Sequence, residues 1–310
     1  MSFHHVSVLL NETVNSLQIE PDGVYVDCTA GGGGHSAAIA EKLGPTGKLI
    51  AVDRDPDAIK TLENRFAGRE NVTVVHGNFF SIRGILSGLG IGAVNGVMAD
   101  LGVSSHQLDE AGRGFSFHTD APLDMRMSKE GLSAYDVVNT YSEEALSRIL
   151  FTYGEEKFAR SIAKRIVLQR EKQPVETTLQ LAEIVKSAVP AKARREGGHP
   201  ARRTFQAIRI EVNGELDMLP QAVEEMFSVL KVGGVLSVIT FHSLEDRAVK
   251  TVYKKLSEGC TCPKDFPVCV CGKTPRGKIL GKARTPGEAE LEANPRSRSA
   301  KLRSIQKLRS

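Results

Sequence analysis

Asp27-Cys28-Thr29-Ala30-Gly31-Gly32-Gly33-Gly34-His35-Ser36 is the stretch on which the fold of this chain turns. A short apolar run, Val24-Tyr25-Val26, precedes it, and an alanine-rich segment from Ser36 to Leu43 follows with helical character. Strand, glycine turn and helix in that order are the context in which a glycine-rich loop binds a nucleotide-like ligand. Glycine permits positive φ and leaves room for a ligand against the backbone. The acid that opens the stretch refines the reading. Dinucleotide folds start their glycines directly after the strand, so that amides meet a pyrophosphate. Here a carboxylate comes first and suits a ligand carrying amine or sulfonium charge, such as S-adenosylmethionine.

Downstream, Lys48 to Val52 reads as a second buried strand ending in Asp53, 20 residues beyond Gly33. In doubly wound folds an acid there reaches the ribose hydroxyls. Asp55 as N-cap and Pro56 in the first turn predict a helix. Val72 to His76 predicts a third strand, leading to Gly77-Asn78-Phe79-Phe80, where an aromatic ring can flank an adenine. Gly96 to Asp100 predicts a fourth, again finishing on a carboxylate. Open α/β sheets bind ligands at the carboxyl ends of their strands, so Asp27, Asp53 and Asp100 are expected to converge on one crevice. Upstream, His4 to Glu12 reads as a packed lead-in, because nothing near His4 and His5 completes a metal-ligand set.

After Asp100 the alternation breaks. A loop from Ser104 to Met127 gives way to helical patterns. Ser142 caps one helix, with Glu143 and Glu144 in its first turn and Gly154 near its end. Phe158, Ile162 and Ile166 share a face of the next, which must stop before Pro174. Thr177 and Gln180 have capping-box spacing, and Pro190 follows that helix. A stripe from Phe205 through Ile208, Val212 and Leu216 to Leu219 continues the pattern. The expected organisation is a sheet domain (1–105), an inserted helical domain (106–214) and the second part of the sheet domain (215–310). In that last part, Met218–Lys231 predicts a helix closed by Gly233-Gly234, and Val235–Phe241 a fifth strand. Ser243 and Asp246 suggest a cap for the helix that follows. Residues 259–295 read as an irregular excursion, and Ser299–Leu308 fits either a strand or a basic helix.

Bulk properties narrow the class. With 310 residues, 41% apolar and 25% charged, the chain has the composition of a soluble globular protein. No apolar run approaches a membrane span and no signal-peptide core opens the sequence, so the expected location is cytoplasmic, without a membrane partner. The net charge of +4 is unevenly spread: six Lys/Arg and no acid lie between Arg296 and Arg309, and five Lys/Arg stand against Glu196 in residues 192–203. Such clusters suggest a polyanion. Four of the five cysteines, Cys260, Cys262, Cys269 and Cys271, form CxC-x6-CxC. They are not a disulfide framework for a chain this size. They have the ligand number for a structural Zn²⁺, though the spacing is less diagnostic than paired CxxC, and no catalytic metal is expected.

Several longer motifs carry a resemblance. These are Asp27-x-Thr29-x-Gly31-x-Gly33-Gly34-His35-Ser36, Asp53-Arg54-Asp55-Pro56, Asp100-Leu101-Gly102-Val103-Ser104-Ser105-x-Gln107-Leu108-Asp109 and Arg113-Gly114-Phe115-Ser116-Phe117. Pro122-Leu123-Asp124-Met125-Arg126-Met127, Arg203-Thr204-Phe205-Gln206-Ala207, Phe241-His242-Ser243-Leu244-Glu245-Asp246-Arg247 and Asn294-Pro295-Arg296-x-Arg298-Ser299 complete the set. Together they resemble the RsmH (MraW) family nearly end to end. The resemblance implies an α/β, Rossmann-like class I methyltransferase sheet with an inserted all-helical domain. It also implies methylation of N4 of a cytidine in the decoding centre of bacterial 16S rRNA, within the small ribosomal subunit, using S-adenosyl-L-methionine. By motif position the cofactor contacts fall on Gly33, Gly34, His35, Asp53, Phe79, Asp100 and Gln107. The two CxC pairs are not a general feature of that family. The oligomeric state stays open, a homodimer included.

Methyl transfer from a sulfonium is an in-line displacement in which positioning supplies much of the rate. Cytosine's exocyclic amine is a poor nucleophile, and an acceptor hydrogen-bonded to it favours a pyramidal nitrogen and takes up the proton. Asp100 and the loop after it occupy the place where many amino-methyltransferases carry a Pro-Pro-aromatic motif. Asp100 is therefore the catalytic candidate, against an alternative in which it contacts only the cofactor and backbone carbonyls hold the amine. His242, Ser243 and Asp246 read as a loop and helix cap near the substrate mouth rather than as a triad. A base splayed from structured RNA needs a surface to stack on. Phe115 and Phe117 are candidates, with core packing as the competing account. Arg202, Arg203 and the 296–309 tail are candidates for phosphate contacts. An NAD-dependent oxidoreductase shares the strand–glycine–acid logic, but Asp27 and Asp100 speak against it. A non-enzymatic RNA-binding module leaves the three carboxylates without a role.

Overall fold

The computed structural model describes residues 7–104, 107–108, 110–196, 198–260, 262, 268 and 270–309. Two compact units emerge, one from residues 1–102 and 216–310, the other from residues 103–215.

The first unit is built on a seven-stranded sheet, β1 (Val24–Asp27), β2 (Lys48–Asp53), β3 (Val72–His76), β4 (Val94–Asp100), β5 (Leu230–Thr240), β6 (Gly277–Ile279) and β7 (Lys301–Lys307). The order is β3-β2-β1-β4-β5-β7-β6, parallel from β3 to β5, with β7 antiparallel to both its neighbours. This is the Rossmann-like sheet expected from the sequence, and its order reverses between β1 and β4. Both faces are covered, which is why the parallel strands read as unbroken apolar runs. One face packs Tyr25, Leu49, Ala51 and Met98 with Val14, Ile39 and Leu62 of the helices α1 (Leu10–Ser16), α2 (Gly34–Ala40) and α3 (Pro56–Arg65). The other packs Val26, Ile50, Val97 and Leu236 with residues of α4 (Ile82–Gly88), α11 (Leu219–Ser228) and α12 (Ser243–Ser257). Gly96 lies opposite Tyr25, and a Cβ there would stand 2.8 Å from the Tyr25 ring.

The second unit contains α5 (Ala134–Thr140), α6 (Glu143–Gly154), α7 (Ala159–Arg170), α8 (Thr178–Ala188), α9 (Ala191–Glu196) and α10 (Arg202–Asn213). Ser142 caps α6 through the Ala145 amide, and Thr177 and Gln180 form the expected capping box on α8. Ile149, Leu150, Ile162, Ile166, Leu181, Phe205 and Ile208 fill its core.

Four expectations need correction, and one left open is decided. The helix before β5 ends at Ser228, and Lys231–Gly234 belongs to a long β5. The stripe ending at Leu219 is two elements, because α10 stops at Asn213 and Gly214 turns left-handed at φ 59°. The excursion after α12 holds β6 and the helix α13 (Glu288–Ala293). Of the two readings open for the chain end, the strand, β7, is the one observed. The cap of α12 is His242, whose side chain accepts from the Glu245 amide while Glu245 returns a bond to the His242 amide; Ser243 is already helical. His4 and His5 lie outside the described residues, and Val8 and Leu9 just after them are buried.

Candidate active site

Asp27, Asp53 and Asp100 end three neighbouring parallel strands, so their side chains gather at one rim of the sheet. Asp27 pairs in register with Ala51 and Met98, which places Asp53 and Asp100 two residues further along their strands. Asp27 is therefore the floor of the rim and the other two its lip. Because β1 and β4 flank the reversal in strand order, the rim is also where a doubly wound sheet opens a crevice.

The three acids do different work. Asp27 is 1% exposed, accepts from the Thr29 amide at 3.1 Å and from Ser36 Oγ at 2.6 Å, and so ties the start of the glycine turn to α2. Burial pushes its carboxyl up to about 6, against the opposing pull of those hydrogen bonds. Asp53 accepts from the Gly31 and Asp55 amides, both at 2.8 Å, fixing the glycine turn to β2. Its pKa is raised by burial and partly restored by those amides. Asp100 has its amide bonded to Thr29 Oγ1 at 2.6 Å, yet its carboxyl oxygen Oδ1 is buried with no hydrogen-bond partner among the described residues. Burial, then the charges of Asp27 and Glu245, hold its carboxyl well above the usual range. A buried acceptor with nothing to accept marks where a donor or a cation belongs.

The glycine turn is shaped by the protein as much as by any ligand. Gly33 is left-handed at φ 78° and caps α2; a Cβ there would meet Arg65 Cδ at 2.9 Å. A Cβ at Gly34 would collide with Ser7 Oγ. At Gly31, left-handed at φ 51°, and at Gly32 the space beside the backbone is open, which leaves that side of the turn accessible to a ligand. Arg65 donates to the Gly32 carbonyl at 2.8 Å. His35 is buried, with Nε2 3.1 Å from the Val8 carbonyl and Nδ1 3.9 Å from Asp100 Oδ2. That geometry puts the proton of a neutral ring on Nε2 and turns Nδ1 toward the acid. Phe79 opens a short 3-10 turn at the carboxyl end of β3, half-buried and edge-on to Phe80 at 4.7 Å, with Asn78 capping the turn.

His242 belongs to this unit too. Its Nδ1 caps α12, its Nε2 lies 3.1 Å from Glu245 Oε1, and Glu245 Oε2 accepts from the Phe241 and His242 amides. The ring is thereby held as a structural cap. The basic chain end is largely absorbed by the sheet. Arg303 and Lys301 pair with Asp246 at 2.7 and 3.3 Å, and Lys307 is buried, donating to the carbonyls of Ser228 and Leu230. Arg296, Arg298 and Arg309 remain exposed.

In the helical unit, Gln107 is buried, its Oε1 accepting from the Ser104 amide at 3.1 Å. Ser105, His106 and Asp109 of the same motif lie outside the described residues. Phe115 is 6% exposed and sits in the core beneath the Arg113 guanidinium, so no base can stack on it while the core stays closed. Phe117 is half-buried and stacks on His199 at 4.5 Å, with His118 4.4 Å away. Partial burial, then His118 and Lys186, lower the His199 pKa, which keeps its ring neutral near pH 7. Exposed Arg194, Arg195 and Arg202 lie within a few residues of His199 in the chain. Arg203 donates to the Glu155 carbonyl at 2.7 Å, at the end of α6. The motifs around Gly114 and Met125 are joinery. Met125 N donates to the Arg113 carbonyl, Arg113 donates to the carbonyls of Arg126 and Met127, and Asn213 brackets Met125 and Met127.

Sequence reasoning passed over Thr29, Ser36, Arg65 and Glu245. The signal for Ser36 was a small hydroxyl on the inward face of α2. For Arg65, 33 residues from the Gly32 carbonyl it holds, there was none; for Glu245 the signal was its place three residues after His242, the spacing of a capping box.

Residues 2–308 match the profile of the MraW methylase family. The chain is similar to the ribosomal RNA small subunit methyltransferase H of Clostridium botulinum (strain Kyoto / Type A2), 58% identical over 310 residues, covering 99% of this chain and 100% of that protein. It is 54% identical to the protein of the same name from Brevibacillus brevis, over 99% of each chain. A crystal structure of a putative rRNA-methylase from Clostridium thermocellum aligns at 12% identity and a TM-score of 0.45, covering 97% of this chain and 98% of that one.

Proposed function

The chain belongs to the MraW methylase family, and from that membership we propose that it methylates small-subunit rRNA at N4 of a cytidine, using S-adenosylmethionine. The observation that carries the chemistry is Asp100 Oδ1, buried and without a partner among the described residues at the rim where three acids gather. The donor set fits a cationic nucleoside. Asp53 would hold the ribose hydroxyls through the lone pairs its two amide bonds leave over, and Phe79 would lie against the adenine. The backbone from Gly31 to Gly34, with His35, would line the remaining side. Asp27 acts from below, as a fixed negative charge rather than a contact. Gln107 stays in the proposal on motif position alone.

When bound, S-adenosylmethionine supplies a methyl group on positively charged sulfur, with a neutral thioether as leaving group. The protein's part is then to orient the amine and manage a proton. We assign the amine's hydrogen bond to Asp100 Oδ1. An acceptor there draws the nitrogen lone pair out of the ring and takes up the proton once the N–C bond has formed. An acid whose pKa is raised by burial is poised for that task only when a positive charge nearby lowers it again. A cationic cofactor held beside Asp100 would therefore favour the ionised form of that carboxyl, the form able to accept the amine's proton. For the RNA, Phe117 stacked on His199 offers a flat platform, with Arg194, Arg195 and Arg202 for phosphates.

The deciding experiment incubates the protein with methyl-labelled cofactor and small ribosomal subunits, then maps the label by nuclease digestion and mass spectrometry. N4-methylated cytidine in the small-subunit rRNA is expected. Label on another atom or on another RNA would overturn the assignment.

A further inference from the structure

Between α12 and β6, residues 258–276 contain no helix or strand among the described residues. The base of this excursion is pinned, since Arg276 N donates to the Leu256 carbonyl at 2.9 Å and the Arg276 carbonyl accepts from Leu308 N at 2.8 Å. Among the described residues further out, Val268 and Val270 are 70% and 73% exposed and add no apolar packing to that pinning. A loop this long without a core of its own is held by some other link or is not held at all. The cysteines supply the means. Cys260, Cys262 and Cys271 bring their sulfurs within 4.8 Å of one another, with Cys260 and Cys271 at 3.7 Å. Four thiolates at ~2.3 Å from a tetrahedral Zn²⁺ stand roughly 3.8 Å apart. The Cys262 amide also points at Cys260 Sγ, at 3.4 Å, as amides do toward a metal-bound thiolate.

We propose that Cys260, Cys262 and Cys271 bind a structural Zn²⁺ ion that staples this loop. The fourth cysteine of the pattern, Cys269, lies outside the described residues. Each thiol gives its proton to solvent as it binds. The site is far in sequence from the aspartates and takes no part in methyl transfer. An all-sulfur set selects zinc or an iron–sulfur cluster over harder ions, and iron is one of the outcomes the test separates.

The test uses the full chain, purified without a metal-affinity step. Elemental analysis is expected to find about one zinc per chain, released to a chromogenic chelator as a mercurial titrates the thiols. Cys260→Ser combined with Cys271→Ser is expected to lose that zinc. Should the variant fold poorly, cobalt exchanged into the wild-type protein is expected to give thiolate charge-transfer bands and the visible bands of a tetrahedral site. Chelation is expected to speed proteolysis within 258–276 while the sheet's circular dichroism persists. Three results would each overturn the proposal: reduced protein that takes up neither zinc nor cobalt, iron with acid-labile sulfide, or cysteines recovered as disulfides from cells lysed in alkylating agent.

Discussion

Replacing Asp27 by Asn tests whether the floor of the acid rim is strained by its own charge. The carboxyl is buried and its pKa is pushed from 3.8 to about 6. Carrying the charge at neutral pH therefore costs the fold about 3 kcal/mol. The sign follows from proton counting. Below about pH 4 folded and unfolded chains both hold the proton. Between about pH 4 and 6 the unfolded chain has lost it and the folded one keeps it, so stability falls as pH rises, and above that window the penalty is complete. Asn keeps an oxygen for the Thr29 amide and offers an N–H to Ser36 Oγ, whose hydroxyl can turn to accept. The hydrogen bonds to the charged form are already contained in that net shift; allowing about 1 kcal/mol for the reoriented Ser36 bond to the amide, Asp27→Asn should be more stable than the parent by about 1–2 kcal/mol at pH 7. The gain should vanish near pH 4. Urea unfolding of the cofactor-free protein at a series of pH values measures the difference curve, in which titrations common to both chains cancel. Asp124, Asp136 and Asp246, whose pKa values are lowered, act below that window with the opposite sign. A variant less stable than the parent at pH 7, with a flat difference from pH 4 to 7, would refute the reasoning.

Asp100→Asn should weaken S-adenosylmethionine binding by about tenfold, the order of one charge contact, and cut methyl transfer at saturating cofactor by at least about 100-fold; full activity would assign the amine to another acceptor. Cofactor binding should release protons as Asp100 ionises, so calorimetry in buffers of differing ionisation enthalpy should show more release with S-adenosylmethionine than with S-adenosylhomocysteine, whose sulfur is neutral. Gly34→Ala should cost about 1–3 kcal/mol through its collision with Ser7 Oγ, and Ser7→Ala in the same chain should recover part of that loss in a double-mutant cycle. Changing Arg194, Arg195 and Arg202 together to Gln should reduce the slope of log affinity for rRNA against log salt by about 2 with the melting temperature unchanged; an unaltered slope would remove these residues from the interface.

Much of the sheet was legible because buried parallel strands are apolar along their whole length and here end on an aspartate. β1, β2 and β4 announce themselves that way, and β3 is a largely apolar run that ends on His76 instead. β7 does not: Leu302, Ile305 and Leu308 recur at a helical interval, while Lys301, Arg303 and Lys307 suggest a solvated tail. Antiparallel pairing with β5, the Asp246 ion pairs and two carbonyls that receive the buried Lys307 override both signals. β6 is too short to show a period. Gly233-Gly234 looks like a helix stop, but an added Cβ at Gly234 would stand 2.8 Å from the Asn95 carbonyl, so the glycine serves β4–β5 pairing. In each case a tertiary partner, distant in sequence, decides the outcome.

The site divides along the same line. That three aspartates share one rim follows from strand order, and strand order follows from the alternation of the sequence. Which of them meets a ligand does not. Asp27, Asp53 and Asp100 look alike in sequence, each a strand-ending acid, and register alone separates them by setting Asp27 below its neighbours. Hydrogen bonding then completes the distinction: Asp27 and Asp53 spend their oxygens on the glycine turn and on Ser36 and the Asp55 amide beside it, and Asp100 Oδ1 is left over among the described residues. A like-charged cluster under one crevice is unfavourable without a cation, since each buried acid raises the pKa of the next. The fold therefore stores at this rim an electrostatic demand that a sulfonium nucleoside would meet and a phosphate-rich one would aggravate. The glycine turn, which resembles a phosphate cradle when read alone, is tied down by Asp27 and Asp53, acids whose charge would disfavour a phosphate beside it.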